Sequence, residues 1–111
     1  MRQRPETAIR LGIRKFLKEM GFSVWDMEQN RPTRQTPGFS DLVAFGHGTI
    51  LFIECKSETG RPTGRQQEFG DAVGQNGGIY LVWRSTHDAW DFLKEMGIIT
   101  DSRLFEEVGD G

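Results

Sequence analysis

Asp41, Glu54 and Lys56 combine residue types and a spacing that suit phosphodiester hydrolysis. Like charges that face each other on a sheet destabilise it, so two carboxylates stay together most readily around a cation. A hard divalent ion binds carboxylate oxygens and activates water, and a neighbouring ammonium offsets charge that develops on a phosphate. The three residues therefore predict a metal-dependent hydrolytic centre.

Two apolar, β-prone runs, 41–45 and 49–54, would carry these acids on a hairpin. With a two-residue turn at 47–48, Asp41 falls opposite Glu54, and directly opposed Cβ atoms lie roughly 5 Å apart. A three-residue turn would shift the register by one residue and separate the pair.

Lys56 follows Glu54 by two residues and should share its face of the strand, whereas Cys55 should point into a core. Considered alone, these charges favour a solvated ion-pair cluster at the end of a strand. The surrounding elements favour the hydrolytic interpretation.

Apolar periodicity and helix-ending glycines predict an α/β fold in the order α-β-β-β-α-β-α. We expect a single domain over 1–111, with a mixed sheet of about four strands, flanking helices and an acidic tail from residue 97. The unbroken apolar run 79–83 suggests a strand buried on both faces. Ala72 is expected to face inwards, and Trp90 and Phe92 to pack in the core rather than at an interface.

Composition agrees with one small soluble domain: 111 residues, 36% hydrophobic, 27% charged and one cysteine. The lone cysteine, the absence of an apolar signal segment and the lack of a membrane-length apolar run predict a cytoplasmic protein that does not span a membrane. The net charge of −2 is unevenly divided, since residues 1–65 carry an excess of four positive charges. A negatively charged substrate would favour that half.

The motifs resemble the PD-(D/E)XK nuclease superfamily and, within it, the virus-type replication-repair nuclease (VRR-NUC) domain, in its stand-alone phage or bacterial form. The similarity runs from about Glu6 to Ser85 and includes the segments 38–41, 53–56 and 60–66. The family usually has a proline where this chain has Ser40. That proline is not a ligand, so activity is expected to persist.

The resemblance implies an endonuclease that uses Mg²⁺ or Mn²⁺ to cut DNA. Asp41, Glu54 and the backbone carbonyl of Cys55 would hold the metal, and Lys56 would position or activate the attacking water. Glu6 would assist metal or water binding, and Gln66 would support the site by hydrogen bonding. Stand-alone members resemble Holliday-junction resolvases, which act as homodimers on branched DNA in replication, recombination or repair.

Basic side chains outside this set are candidates for contacts with branched or duplex DNA: Arg10, Arg14, Arg31, Arg34, Arg61 and Arg65. A catalytically silent DNA-binding or partner-binding module on the same fold is the alternative. It is motivated by Ser40, the net negative charge and the acidic tail.

Overall fold

Four strands form one mixed sheet in the order β1-β2-β3-β4 in the computed structural model, which describes residues 5–28 and 38–99. The first three strands are antiparallel, and β4 pairs with β3 in parallel through a helical crossover. This is the predicted α/β class and order. The elements are α1 (Glu6–Glu19), β1 (Ser23–Asp26), β2 (Leu42–Gly46), β3 (Thr49–Cys55), α2 (Gly64–Gln75), β4 (Ile79–Trp83) and α3 (Thr86–Glu95).

The turn between β2 and β3 has the two-residue form that the sequence predicts. His47 and Gly48 both have positive φ, 52° and 75°, which suits the twist of a tight hairpin. The His47 ring nitrogen Nε2 lies 2.7 Å from the Met20 carbonyl oxygen and ties this turn to the end of α1. The last paired residues are Leu42 and Ile53, so Asp41 and Glu54 are the next residues along the two strands. The predicted register is confirmed.

Helices α1 and α3 cover one face of the sheet and enclose the main core. Alternate strand residues such as Leu51, Ile53 and Cys55 are buried there, as expected for Cys55. Trp90 and Phe92 pack against this core, which agrees with the prediction. Ile99 is also buried in this core. The packed part of the chain therefore extends two residues beyond residue 97, where the acidic tail was expected to begin.

Helix α2 covers part of the opposite face through an aromatic cluster. The ring centroid of Phe69 lies 5.0 Å from Phe39, 5.6 Å from Phe52 and 6.0 Å from Tyr80. These edge-on contacts place the first turns of α2 beside the end of β3.

Two predictions about burial are wrong. Strand β4 lies at an edge of the four-stranded sheet, and four of its five residues are only partly buried. The apolar run of β4 does not alternate with polar residues because α2 and α3 contact the two faces of the strand. The missing alternation does not mean that β4 lies at the centre of the sheet. Ala72 is exposed, and Phe69 is the α2 residue whose ring packs on Phe52 and Tyr80 of the sheet.

Asp26 is a buried acid at the end of β1 that pairs with two arginines of α1. It accepts hydrogen bonds from Arg10 and from Arg14, the latter at 3.0 Å. Both arginines, predicted as DNA contacts, thus help join α1 to the sheet. None of the helices in residues 5–28 and 38–99 is long and apolar enough to cross a membrane.

Gly38 should be required where the chain meets α2, because its φ is +89° and an added Cβ would lie 2.5 Å from the Arg65 carbonyl oxygen. We expect Gly38→Ala to lower the free energy of unfolding by roughly 1–3 kcal/mol. The matched control is Gly74→Ala, in α2 with open space around it, which should raise that free energy by roughly 0.5–1 kcal/mol. Urea unfolding measures both, and equal effects of the two changes would contradict this account.

Candidate active site

The end of β3 brings most of the predicted site residues to one polar cavity of about 200 Å³, the carboxylate pocket. Predicted residues in its lining are Glu6, Arg10, Asp41, Glu54, Lys56 and Gln66. Thr7 and Glu28 also line it, and the sequence interpretation missed both. Since Glu28 lies two residues after β1, only the register of β1 against β2 could have placed it there.

Asp41 is fixed by the backbone of the neighbouring strands. Its Oδ2 accepts a hydrogen bond of 3.0 Å from the Cys55 N–H. Its own carbonyl oxygen accepts from the N–H groups of Met27, at 2.8 Å, and Glu28, at 3.3 Å. The carboxylate is therefore held at the strand end from both sides.

Ser40 takes the place of the proline expected before the aspartate. Its side chain is fully buried, and its hydroxyl donates to the Leu42 carbonyl oxygen at 3.2 Å. This local hydrogen bond restrains the approach to Asp41, as a proline would restrain it through its ring.

Glu54 is 1% exposed, and its two carboxylate oxygens have different surroundings. Its Oε2 accepts a hydrogen bond from Gln66 Nε2 and lies 3.8 Å from Lys56 Nζ. Its Oε1 is buried without a hydrogen-bond partner among the described residues. A buried acceptor without a partner is costly; a proton shared with Asp41 offsets this cost when no cation is bound, and a cation in the pocket would take the place of that proton.

Gln66 is held in one orientation by the start of α2. Its N–H donates to Thr63 Oγ1, and its side-chain Oε1 accepts from the Thr63 N–H at 2.9 Å, which completes a capping box. Because Oε1 serves the cap, the amide nitrogen is the end that faces Glu54. A glutamine here links the helix start to the carboxylate pocket.

The electrostatics of the pocket favour bound positive charge. Burial, followed by the negative charge of Asp41, raises the pKa of Glu54 to about 8, with Lys56 acting in the opposite direction. Burial also raises the pKa of Asp41, although the Cys55 N–H opposes this, and the charge of Glu28 adds to the effect. Burial raises the pKa of the Cys55 thiol too, so this cysteine is a neutral core residue and not a nucleophile.

The pocket fits a divalent ion through two carboxylates rather than three. In the described part of the chain, no three His, Cys, Asp or Glu side chains form a group able to hold a metal alone. The unpartnered oxygen of Glu54 lies beside Asp41, and magnesium commonly takes one or two carboxylates plus water and phosphate oxygens. The donor set is therefore sufficient for such an ion.

Glu6 and the remaining arginines lie around this centre. Glu6 Oε2 is 3.5 Å from the Ser57 N–H, at the rim of the pocket. Arg61 and Arg65 are exposed near the start of α2. Arg14 does not line the pocket, whereas Arg10 does, with its guanidinium held by Asp26. The predicted contacts at positions 31 and 34 lie outside the described residues.

Replacing Glu54 by glutamine should stabilise the metal-free protein in a pH-dependent way. An acid whose pKa is raised by folding costs stability as pH increases from its unfolded value, about 4.5, through about 8. In EDTA, Glu54→Gln should therefore raise the free energy of unfolding by roughly 2–4 kcal/mol more at pH 8.5 than at pH 5. Urea unfolding across this range measures the difference.

The control for this change is Glu68→Gln, on the exposed surface of α2. It should leave the pH dependence of unfolding as in the wild type. If the free energy of unfolding of Glu54→Gln changes with pH as that of the wild type does, the burial of Glu54 has no such cost.

Gln66→Glu should separate the capping role of this residue from its contact with Glu54. A glutamate also completes a capping box, but it replaces the amide donor beside Glu54 Oε2 with a carboxylate. Metal-free protein should lose roughly 1–3 kcal/mol of stability at pH 8.5 and less at pH 5. Gln67→Glu, on the exposed side of the same helical turn, is the control, because it loses only an exposed hydrogen bond to the Pro62 carbonyl oxygen; an equal, equally pH-dependent loss there would rule out the contact with Glu54 as the cause.

No protein-family model and no curated protein matches the sequence at a significant level. A solved structure described as "VRR_NUC domain" is similar to the chain, with a TM-score of 0.64 and 22% sequence identity. The similarity covers 81% of this chain and 94% of that one. The chain therefore has the fold of a VRR_NUC domain, in agreement with the resemblance of its motifs.

Proposed function

We propose that this protein is a metal-dependent endonuclease that hydrolyses phosphodiester bonds in DNA. The observation that carries the proposal is the buried carboxylate of Glu54 beside Asp41, whose Oε2 faces Gln66 and Lys56 while its Oε1 has no hydrogen-bond partner among the described residues. The VRR_NUC fold supports a nuclease with DNA as its partner. Substrate phosphate would enter the carboxylate pocket from its open side.

Asp41, Glu54 and the Cys55 carbonyl would hold Mg²⁺ or Mn²⁺, with Glu6 at the rim assisting the binding of metal or water. When bound, such an ion supplies positive charge to the phosphate and makes a water more acidic. The Cys55 N–H keeps Asp41 oriented, and the Gln66 amide keeps Glu54 oriented. Neither carboxylate then has to reorganise during the reaction.

Lys56 would act on the attacking water and on the phosphate. Its ammonium is mostly buried and stands 3.8 Å from Glu54 Oε2, on the same side of the strand. From there it would orient the water and stabilise charge that develops on the phosphate oxygens. Because the surroundings are largely closed to solvent, the charge of the Lys56 ammonium is screened less than the charge of a surface lysine.

The finer proposal is selectivity for branched DNA, such as four-way junctions, by a homodimer. It is supported by the resemblance in the motifs and by the small size of the domain, since two symmetric nicks require two sites related by a two-fold axis. Arg61 and Arg65 at the start of α2, together with Arg31 and Arg34, would contact DNA phosphates. A soluble cytoplasmic location accords with DNA as the substrate.

Lys56→Ala should lower metal-dependent cleavage by roughly 100-fold or more while metal and DNA binding are largely retained. The assay uses four-way, flapped and linear DNA with Mg²⁺, Mn²⁺ or EDTA. Lys94→Ala, an exposed lysine on α3, is the matched control and should cleave as the wild type does.

If the wild type cleaves none of these substrates with either metal, the endonuclease proposal is refuted. If DNA is then still bound, and calorimetry detects no Mn²⁺ binding, the silent DNA-binding module is the correct alternative. Light scattering of the protein alone and with a four-way junction tests the dimer separately.

A further inference from the structure

The turn that follows Lys56 is compact and lies against Glu6. The Gly60 N–H donates to the Ser57 carbonyl oxygen at 3.2 Å and to its hydroxyl at 3.1 Å. A Cβ at Gly60 would lie 3.0 Å from Ser57 Oγ and 3.1 Å from Glu6 Oε2. The position of this 57–60 turn thus bears on both Lys56 and Glu6.

Arg84, the residue directly after β4, spans this turn with one nitrogen. Its Nη1 donates to the Ser57 carbonyl oxygen at 2.8 Å and to the Gly60 carbonyl oxygen at 2.5 Å. Hydrogen bonds from a charged donor are stronger than neutral ones. One half-buried guanidinium therefore closes the two ends of the turn.

The backbone of Arg84 is itself anchored at the start of α3. Its N–H donates to Asp88 Oδ2 at 2.8 Å, and the Asp88 N–H donates to Ser85 Oγ at 3.2 Å. Just before it, the Trp83 carbonyl oxygen accepts from the Lys56 N–H at 3.0 Å. The end of β4 consequently holds the backbone on both sides of the Lys56 side chain.

We propose that Arg84 is a positioning residue, which sets Lys56 and Glu6 against the Asp41–Glu54 pair by fixing the 57–60 turn. The proposal rests on the proposed nuclease function and assigns no direct contact between Arg84 and substrate. Because Asp41 and Glu54 are held by Cys55 and Gln66, loss of Arg84 leaves the carboxylates in place. Loss of the Arg84 side chain should lower the rate of DNA cleavage and leave the affinities for DNA and metal unchanged.

Arg84→Met removes the donor but keeps an unbranched side chain, and Arg84→Lys keeps a cationic donor. At saturating four-way DNA and Mn²⁺, we expect Arg84→Met to cleave roughly 10- to 100-fold more slowly in a single turnover, as misplaced catalytic groups do. Its affinities for DNA in EDTA and for Mn²⁺ by calorimetry should be unchanged. Arg84→Lys should recover part of the rate, and Lys18→Met, an exposed lysine on α1, should match the wild type.

Amide hydrogen exchange gives a readout that does not depend on cleavage. The Gly60 amide should exchange faster in Arg84→Met, while amides of β2 and β3 keep their wild-type protection. Cleavage by Arg84→Met at the wild-type rate, or a weaker DNA affinity with an unchanged rate, would overturn the proposal. If Arg84→Met fails to fold, Arg84→Lys tests the proposal instead. In that variant the cleavage rate and the protection of the Gly60 amide against exchange must fall together.

Failure of the nuclease proposal is distinguishable from failure of this one. A wild type that cuts no DNA refutes the nuclease, and the exchange measurement still tests Arg84. Unchanged exchange of the Gly60 amide in Arg84→Met would refute the positioning role whatever the activity of the wild type.

Discussion

The burial of the Glu54 carboxyl group beside the partly buried Asp41 is the constraint around which the site end of this small protein is organised. Burial imposes a desolvation cost on Glu54, and two ionised groups about 5 Å apart would repel by roughly 3 kcal/mol at an effective dielectric constant of about 20, so the pKa of Glu54 rises to about 8. The fold offsets part of this cost through the Cys55 N–H, the Gln66 amide and the Lys56 ammonium. One oxygen of Glu54 stays without a partner among the described residues, so the compensation is incomplete.

Asp26 shows that the incomplete compensation is specific to this pair. It is as buried as a core residue, yet two arginines from α1 donate to its carboxylate. The same chain therefore surrounds Asp26 with cations and leaves one oxygen of the buried Glu54 without a hydrogen-bond partner among the described residues. A purely structural ion-pair cluster at the strand end would resemble Asp26 more closely than it resembles Asp41 and Glu54. This contrast favours a site that receives a cation and a phosphate.

The features that local rules govern could be predicted from the sequence. The two-residue turn at His47 and Gly48 determined the hairpin register, and helical spacing determined the order of elements. Gln66 was expected to support the site by hydrogen bonding, and the contact with Glu54 is present. The roles proposed for these residues in catalysis remain predictions.

Features that depend on distant packing could not be predicted in this way. The edge position of β4 depends on which side of β3 the crossover returns to, and no local pattern encodes this. The pairing of Arg10 and Arg14 with Asp26 required the angle of α1 on the sheet. The sequence assigned no role to Arg84, because its two carbonyl partners lie in a turn more than twenty residues earlier.

The tight turn at His47 and Gly48 also bears on how the chain folds. Pairing of β2 with β3 closes a short loop. Pairing of β3 with β4 closes a much longer one, which includes the whole of α2. The hairpin is therefore the part of the sheet with the lowest entropic barrier, and it brings Asp41 beside Glu54 before α2 can supply Gln66. The two acids therefore meet while both are still solvated, where their repulsion is weak, and most of the electrostatic cost arises later, when the rest of the fold buries Glu54.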